Sequence, residues 1–174
     1  MSDDRPSDEQ SAEELAARLA ELLRDGELTI AVAESLTGGS LSADLAAAED
    51  SSTWYRGGVV AYSSEVKHDL LDVPPGPVVS EPSAAAMAEG VARLLGADLS
   101  LSVTGVGGPD PQDDQPPGTV WMGLHDRRAG TTGTELHHFE GSPDEIVAAT
   151  RHGALAWLLG RCDARARDEA DATT

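Results

Sequence analysis

The stretch LTIAVAESLTGG, residues 28–39, decides the fold of this chain. Residues 28–33 form a short apolar run with β-branched side chains, which predicts a buried strand. Two glycines and an alanine-rich stretch follow, so the chain passes from a strand through a tight turn into a helix. Strands that alternate with helices in this way are typical of α/β domains.

The rest of the chain repeats this alternation. Helices are predicted at residues 11–24, 40–48, 64–71, 81–95 and 144–159. Strands are predicted at residues 28–33, 59–62, 99–103, 119–125 and 134–139, the last two as a hairpin. Gly26 suits the C-terminal cap of the first helix, and Ser80 suits the N-cap of the fourth. The pattern predicts a three-layer α/β/α sandwich with a mixed, mostly parallel sheet.

The 174 residues are enough for one domain with a substantial core. We expect an acidic, flexible N-terminus at 1–11, a folded domain at 12–160 and a polar C-terminal tail at 161–174. No apolar run is long enough to span a membrane, and no secretory signal precedes the domain. The single cysteine, Cys162, excludes an internal disulfide, so we expect a cytoplasmic protein.

The net charge of -19 is large for a chain of this length. It argues against nucleic acid or an anionic membrane as a partner. The acid-rich, lysine-poor and aromatic-poor composition resembles that of salt-adapted proteins, because salt screens the repulsion between like charges. We therefore expect the melting temperature to fall when salt is removed. An unchanged melting temperature from molar to low salt would contradict this expectation.

Two glycine-rich junctions follow predicted strands and are candidate ligand sites. Backbone amides at such junctions can bind an anion or an oxyanion, and ligands of open α/β sheets gather at the carboxyl ends of strands. The alternative is an N-capped helix at the first junction and a plain loop at the second. The candidate substrate-binding residues here are Glu34, Ser35, Thr37, Gly38, Gly39, Thr104, Gly105, Gly107 and Gly108.

Lys67 is the only lysine, although the chain has 12 basic residues. A lysine can be desolvated into a neutral base, whereas an arginine cannot. Ser52, Tyr62 and Lys67 together would form a hydrolase site without histidine. Ser51 could replace Ser52 as the nucleophile and is otherwise assigned to substrate binding. The alternatives are a surface lysine, a loop serine and a tyrosine at the edge of the core.

Metal binding is not predicted. The five histidines show no pairing at metal-ligand spacing on a helix, and adjacent His137 and His138 point to opposite faces of a strand. No cofactor is expected either.

Several motifs together resemble the CinA C-terminal domain family, also called the nicotinamide-nucleotide amidohydrolase family. Residues 33–39 resemble its AESxTGG motif, and residues 50–67 resemble its GSSxWFxGGxVxYSNxxK stretch. Residues 79–81, 104–110 and 117–120 resemble its VSE, SGIAGPxG and PxGTV motifs. The similarity extends over roughly residues 12 to 160.

The resemblance implies a three-layer α/β/α domain that hydrolyses the carboxamide of nicotinamide mononucleotide to nicotinate mononucleotide and ammonia, without a metal. It also implies Ser52 as the nucleophile, with Tyr62 and Lys67 as its base partners. The expected partner, a small-molecule nucleotide substrate, is implied by the same resemblance. We expect the phosphate to bind near residues 37–39 and the scissile amide near residues 104–108. Full-length members carry a larger N-terminal domain, so we expect a stand-alone version that self-associates.

Three departures from the family pattern affect the expected activity. Asp50 replaces the glycine before the two serines, and Ser64 replaces the asparagine of YSN. The GDRxxVR motif reads GSPDEIV at residues 141–147, so both arginines are missing. Arginine suits bidentate recognition of phosphate, and Arg151 could substitute. The alternatives to a nicotinamide-nucleotide amidohydrolase are a related hydrolase of another small amide and a catalytically weak nucleotide-binding module.

Overall fold

The structure is a computed structural model that describes residues 10–25 and 27–172. The predicted cap Gly26 and most of the N-terminal segment 1–11 lie outside the described residues. The elements in chain order are α1 (Ala12–Leu23), β1 (Ile30–Glu34), α2 (Ser40–Ala47), α3 (Ser51–Trp54), β2 (Tyr55–Val60), α4 (Ser64–Leu71), α5 (Glu81–Leu95), β3 (Leu99–Gly105), β4 (Thr119–Asp126), β5 (Thr131–His138) and α6 (Pro143–Ala172).

The five strands form one mixed sheet in the order β2-β1-β3-β4-β5. β1 pairs in parallel with β2 and β3, whereas β4 pairs antiparallel with both β3 and β5. Four of the five strands therefore run in one direction, and β4 alone opposes them. This confirms the predicted mixed, mostly parallel sheet.

Helices cover both faces of the sheet. The side chains of β1 alternate between two apolar clusters: Val32 packs with residues of α1, α2 and α6, and Ala33 packs with residues of α4 and α5. Alternation of this kind follows from the two-residue period of a strand. The three-layer α/β/α architecture predicted from the sequence is confirmed.

The second strand differs most from its prediction. β2 begins at Tyr55 and ends at Val60, so Tyr62 lies beyond the strand and not at its end. The strand predicted from the sequence began only at residue 59, after the glycines at 57 and 58. A Cβ atom on Gly58 would collide with the Ser42 side chain, so this glycine allows α2 to pack closely on a strand. The short helix α3 was not predicted.

The C-terminal segment also differs from its prediction. Residues 161–172 continue α6 as a helix and do not form a polar tail. Arg161 and Arg165, one helical turn apart, both donate to Asp126 at the end of β4, and Cys162 between them is buried in the core. These contacts hold residues 161–165 of α6 against the sheet, which composition alone does not reveal.

Candidate active site

The loops that follow β1, β2 and β3 meet at one edge of the sheet, because these three parallel strands all end there. They enclose a cavity of about 170 Å³, which we call the loop cleft. Its lining residues are Ser35, Leu36, Tyr62, Gly105, Val106, Gly107, Gly108, Asp110 and Gln112. Five of them, Ser35, Tyr62, Gly105, Gly107 and Gly108, are candidates from the sequence.

Ser35 is the first residue after β1 and opens a tight turn. It is 8% exposed, and its carbonyl accepts a hydrogen bond from the amide of Gly38 at 3.0 Å. The turn places this serine between the ends of the neighbouring strands β2 and β3, in the wall of the loop cleft. A serine in this position can reach a ligand in the cleft.

Lys67 is buried, with 1% of its surface exposed. It lies on α4, which Ser63 caps by accepting a hydrogen bond from the amide of Val66. The Lys67 Nζ atom donates to the backbone carbonyl of Tyr62 at 3.4 Å. Burial lowers the pKa of the Lys67 amine, and the charge of Asp113 opposes part of that effect. The surface-lysine alternative is therefore wrong, and the arrangement favours a neutral base.

Tyr62 joins Lys67 to the loop cleft. Its side chain is 74% exposed and lines the cleft, while its carbonyl contacts Lys67 from behind. The amide of Ala61 donates to the carbonyl of Glu34 at 2.7 Å, which holds this segment against the end of β1. The structure therefore places Ser35 and Tyr62 in the wall of one cleft, with Lys67 in contact with the Tyr62 backbone.

Ser52 does not join them. It lies on α3, immediately before β2, whereas Tyr62 and Lys67 follow the opposite end of that strand. At about 3.3 Å per residue, β2 alone separates the two ends by roughly 16 Å. Ser51 lies at the same distant end, where its hydroxyl donates to the carbonyl of Ala46 at 2.9 Å. The sequence-based trio with Ser52 as nucleophile is thus not a site within one chain.

The first glycine-rich junction is occupied by a side chain of this protein. The buried carboxylate of Glu34 accepts hydrogen bonds from the amides of Gly39 and Leu41 at 3.1 Å and from the amide of Ser42 at 2.8 Å. The Thr37 hydroxyl donates to the same carboxylate at 2.7 Å. Glu34 thus caps α2, and in the predicted phosphate site at residues 37–39 the amide of Gly39 is engaged by this carboxylate.

The amide of Gly38, the remaining candidate at this junction, is also engaged, since it donates to Ser35 as described above. At the second junction, Thr104 is buried and its hydroxyl donates to the carbonyl of Val78 at 2.7 Å, so Thr104 supports the loop and does not line the cleft. Within the described chain, no hydrogen bond uses the amide of Gly107 or Gly108. These two amides are available to a ligand in the loop cleft.

Asp110, Gln112 and Asp113 were not assigned a role from the sequence. Asp110 and Gln112 line the cleft, and Asp113 accepts hydrogen bonds from the amides of Val78 and Val79 at 2.7 and 2.9 Å. The signal was an acidic, proline-rich loop directly after the glycines. It was overlooked because carboxylates are so abundant in this chain.

Arg151 does not replace the missing arginines. Its guanidinium donates to both carboxylate oxygens of Asp44 on α2, at 2.8 and 2.5 Å, on the helical face that packs α6 against the sheet. This contact with Asp44 raises the pKa of Arg151 further above its ordinary value. Arg151 is also not among the residues that line the loop cleft.

A second cavity, of about 230 Å³, lies at the opposite edge of the sheet between the ends of α1 and α6. Its one thiol is Cys162, and burial raises the pKa of that thiol to about 12. A thiol with such a pKa is a poor nucleophile. Within the described residues, no three His, Cys, Asp or Glu side chains gather as a metal site requires, and no helix is long and apolar enough to cross a membrane.

Comparison with known proteins agrees with this architecture. The family model described as the CinA C-terminal domain matches residues 12–162. A CinA-like protein of Geobacter sp. (strain M21) is 42% identical over 156 residues, which are 86% of this chain and 37% of that protein. Protein YdeJ of Escherichia coli (strain K12) is 37% identical over 158 residues, which are 87% of this chain and 91% of that protein. The chain thus spans less than half of the first relative and nearly all of the second.

Solved structures show the same fold. A competence damage-inducible protein A from Klebsiella pneumoniae is 36% identical, with a TM-score of 0.82 over 87% of this chain and 96% of the other. A CinA superfamily protein from Enterobacter cloacae is 32% identical, with a TM-score of 0.84 over 93% of this chain and 98% of the other. The motifs, the fold and these matches agree: the chain belongs to the CinA C-terminal domain family.

Proposed function

We propose that this protein hydrolyses the carboxamide of nicotinamide mononucleotide, or of a related pyridinium compound, to the carboxylate and ammonia. One observation supports this function above the others. Ser35 and Tyr62 line one cleft, and the buried amine of Lys67 contacts the Tyr62 backbone directly behind it. A serine that shares a cleft with a tyrosine whose backbone contacts a desolvated lysine suits nucleophilic catalysis without histidine.

In this mechanism Ser35, not Ser52, is the nucleophile and Lys67 is the base. The neutral Lys67 amine, directly or through the Tyr62 hydroxyl, takes the proton of the Ser35 hydroxyl as Oγ attacks the carboxamide carbon. The C=O π electrons move to the oxygen and form a tetrahedral oxyanion. When the C–N bond breaks, the proton passes from Lys67 to the departing nitrogen, and ammonia leaves. Water then hydrolyses the Ser35 ester and restores both side chains.

The oxyanion needs hydrogen-bond donors that the fold does not otherwise use. The amides of Gly107 and Gly108 meet this requirement, since both glycines line the loop cleft and neither amide has a partner among the described residues. Preorganised donors of this kind contribute roughly 10²- to 10³-fold to the rate. We assign the oxyanion hole to this loop.

The test is to trap the acyl-enzyme. Wild-type protein is mixed with nicotinamide mononucleotide, quenched in acid within milliseconds to seconds, and measured by intact mass and fragment-ion mapping. We expect an added mass equal to the substrate minus ammonia, located on Ser35. The same measurement on Ser52→Ala protein should give the same adduct. An adduct on Ser52, or one that persists in Ser35→Ala protein, would overturn the assignment.

Ammonia release provides the second readout. Protein that is folded and binds the nucleotide without releasing ammonia would instead be a binding module. To keep the protein folded, both measurements are made in molar potassium chloride, which the net charge of -19 calls for.

A further inference from the structure

Apart from the amides of Gly107 and Gly108, which we assign to the oxyanion hole, several anion-binding groups of this protein are occupied by its own carboxylates. The clearest case is the N-terminus of α2, where a helix dipole and free amides would favour an anion. The buried Glu34 carboxylate fills that position and accepts hydrogen bonds from three backbone amides. A phosphate would have to displace a buried charge that stabilises its own helix.

The N-terminus of α6 is occupied in a similar way. Pro143, its first residue, lies beside the second glycine-rich loop: its Cγ is 4.0 Å from where a Cβ of Gly108 would be. Proline has no amide hydrogen to donate. The Glu145 carboxylate accepts the amide of Ser142 at 2.7 Å and the hydroxyl of Ser142 at 2.8 Å. The backbone hydrogen bond from Ser142 lowers the pKa of Glu145, so this carboxylate is ionised at neutral pH.

Two further anion-binding groups are also engaged. The adjacent amides of Val78 and Val79 both donate to the Asp113 carboxylate. The Nε atom and one terminal nitrogen of the Arg151 guanidinium donate to the two carboxylate oxygens of Asp44. Both groups therefore already have a carboxylate partner within this protein.

The lining of the loop cleft itself favours a cation. Asp110 is the only acidic residue in the lining, and no arginine or lysine is among the lining residues. Tyr62 presents an aromatic ring that is 74% exposed, and such a ring attracts a cation over its face. Lys67 is not among the lining residues, and its burial lowers the pKa of its amine.

We infer that the preferred substrate is a phosphate-free, positively charged carboxamide, of the class represented by nicotinamide riboside. This inference rests on the proposed amidohydrolase function. Nicotinamide riboside presents the same pyridinium carboxamide as the mononucleotide but lacks the phosphate, whose negative charge would face Asp110 without a basic side chain in the lining. The pyridinium ring would lie against Tyr62, with its charge near Asp110.

The experiment compares kcat/KM for ammonia release from nicotinamide riboside and from nicotinamide mononucleotide at one fixed salt concentration. We expect the riboside to be favoured at least 10-fold in the wild type. Asp110→Asn should reduce this preference, chiefly by raising KM for the riboside. Equal values, or a preference for the mononucleotide, would overturn the inference.

A variant that adds a positive charge beside the loop cleft tests whether the lack of a basic side chain causes the preference for the riboside. Pro143→Arg places a guanidinium beside the Gly108 loop, and Pro143→Gln is its control for the loss of proline. We expect Pro143→Arg alone to raise kcat/KM for the mononucleotide several-fold and to leave the riboside nearly unchanged. An equal change in both variants would show that charge is not the cause and would count against the inference.

Binding distinguishes failure of this inference from failure of the proposed function. If folded wild type releases ammonia from neither compound, the proposed function fails. Calorimetry with Ser35→Ala protein then measures binding of the two compounds without turnover. Tighter binding of the riboside would support the inferred ligand class, whereas binding of the mononucleotide alone, or of neither compound, would overturn it.

Discussion

Each of the two edges of the sheet contains a buried titratable side chain, but only one of these side chains has ion-pair partners of opposite charge among the described residues. At the edge where β1 and β3 begin, Asp98 accepts hydrogen bonds from Thr29 and from two arginines, Arg127 and Arg128. At the opposite edge, Lys67 is buried with only a backbone carbonyl at 3.4 Å, and no ion pair joins it to a carboxylate in the described chain.

The pKa values follow this difference. Burial alone would raise the pKa of Asp98, but hydrogen bonds from Arg128 and Thr29 outweigh burial and lower the pKa to about 2. For Lys67, burial dominates and lowers the pKa of the amine. One edge stabilises the charged form of its buried group and the other stabilises the neutral form. Paired charge contributes to folding, whereas an unpaired buried base costs stability and is suited to catalysis.

The largest expected effect is on the nucleophile. Ser35→Ala should lower kcat for ammonia release by at least roughly 10³-fold, because no other group in the cleft can form the acyl-enzyme. Ser52→Ala, at the distant end of β2, is the matched control and should stay within about 2-fold of the wild type. Steady-state rates of ammonia release by the two variants measure this difference. A larger loss for Ser52→Ala than for Ser35→Ala would contradict the assignment of the active site to the edge that holds Ser35.

The next effect concerns Lys67. Lys67→Met should lower kcat by roughly 10²- to 10⁴-fold, because the general base is lost. The same variant should be more stable than the wild type at pH values below the ordinary lysine pKa. In the wild type, burial forces the amine either to lose its proton or to remain charged without a partner, and both cost stability. The wild-type rate should rise with pH through a midpoint below the ordinary lysine value.

The sign of the stability effect can be checked against pH. Burial lowers the pKa of Lys67 in the folded state. The loss of stability that Lys67 causes is therefore fully present at low pH. It disappears as the pH rises through the lysine pKa of the unfolded state, about 10.4. Denaturant unfolding of wild type and Lys67→Met at pH 6 and pH 10 measures this difference. Lys67→Arg, which keeps the charge, should be inactive without any gain in stability. A stability gain in the arginine variant would contradict the desolvation argument.

At the other edge, Asp98→Asn should lower the free energy of unfolding by up to about 2 kcal/mol at neutral pH, with little change in activity. The figure follows from a pKa lowered from 3.8 to about 2, and partly exposed arginines make it an upper value. Because the folded pKa is depressed, this stability is present above about pH 4 and is lost as the pH falls toward 2. Urea unfolding across that range measures it, and a pH-independent difference would contradict the pairing argument.

The smallest effect is expected for an exposed pair of similar geometry. Arg93 and Asp72 are 2.6 Å apart, but their side chains are 59% and 71% exposed. Asp72→Asn should change the free energy of unfolding by less than about 0.5 kcal/mol, since solvent screens exposed ion pairs. The same urea series serves as the measurement. A loss as large as that of Asp98→Asn would show that burial does not decide the value of these pairs.

Much of the fold could be predicted from the sequence because it rests on local periodicity. Five of the helices and all five strands were predicted, and α4 and α5 have the predicted bounds. The errors arose where a residue type has two uses. β2 begins four residues before its predicted start, and its Gly58 allows α2 to pack closely. Arg161 and Arg165 hold a helix to Asp126 where a polar tail was predicted.

The candidate site was predicted in part. Lys67 and Tyr62 were identified because a lone lysine in an arginine-rich chain is a chemical signal that needs no coordinates. The nucleophile assigned from the family motif was Ser52, and the separation along β2 moves the proposal to Ser35. Glu34 was assigned to substrate binding, and the structure assigns it to α2 instead.

The sequence by itself determined the layer architecture, the family and the residue types available for chemistry, because periodicity and motif spacing are written along the chain. Only the tertiary structure decided which serine shares a cleft with Tyr62 and which anion-binding groups already have a carboxylate partner. Those questions depend on which ends of the strands come together and on which carboxylates fold back onto backbone amides. Contacts of that kind join distant segments, and no local pattern fixes them.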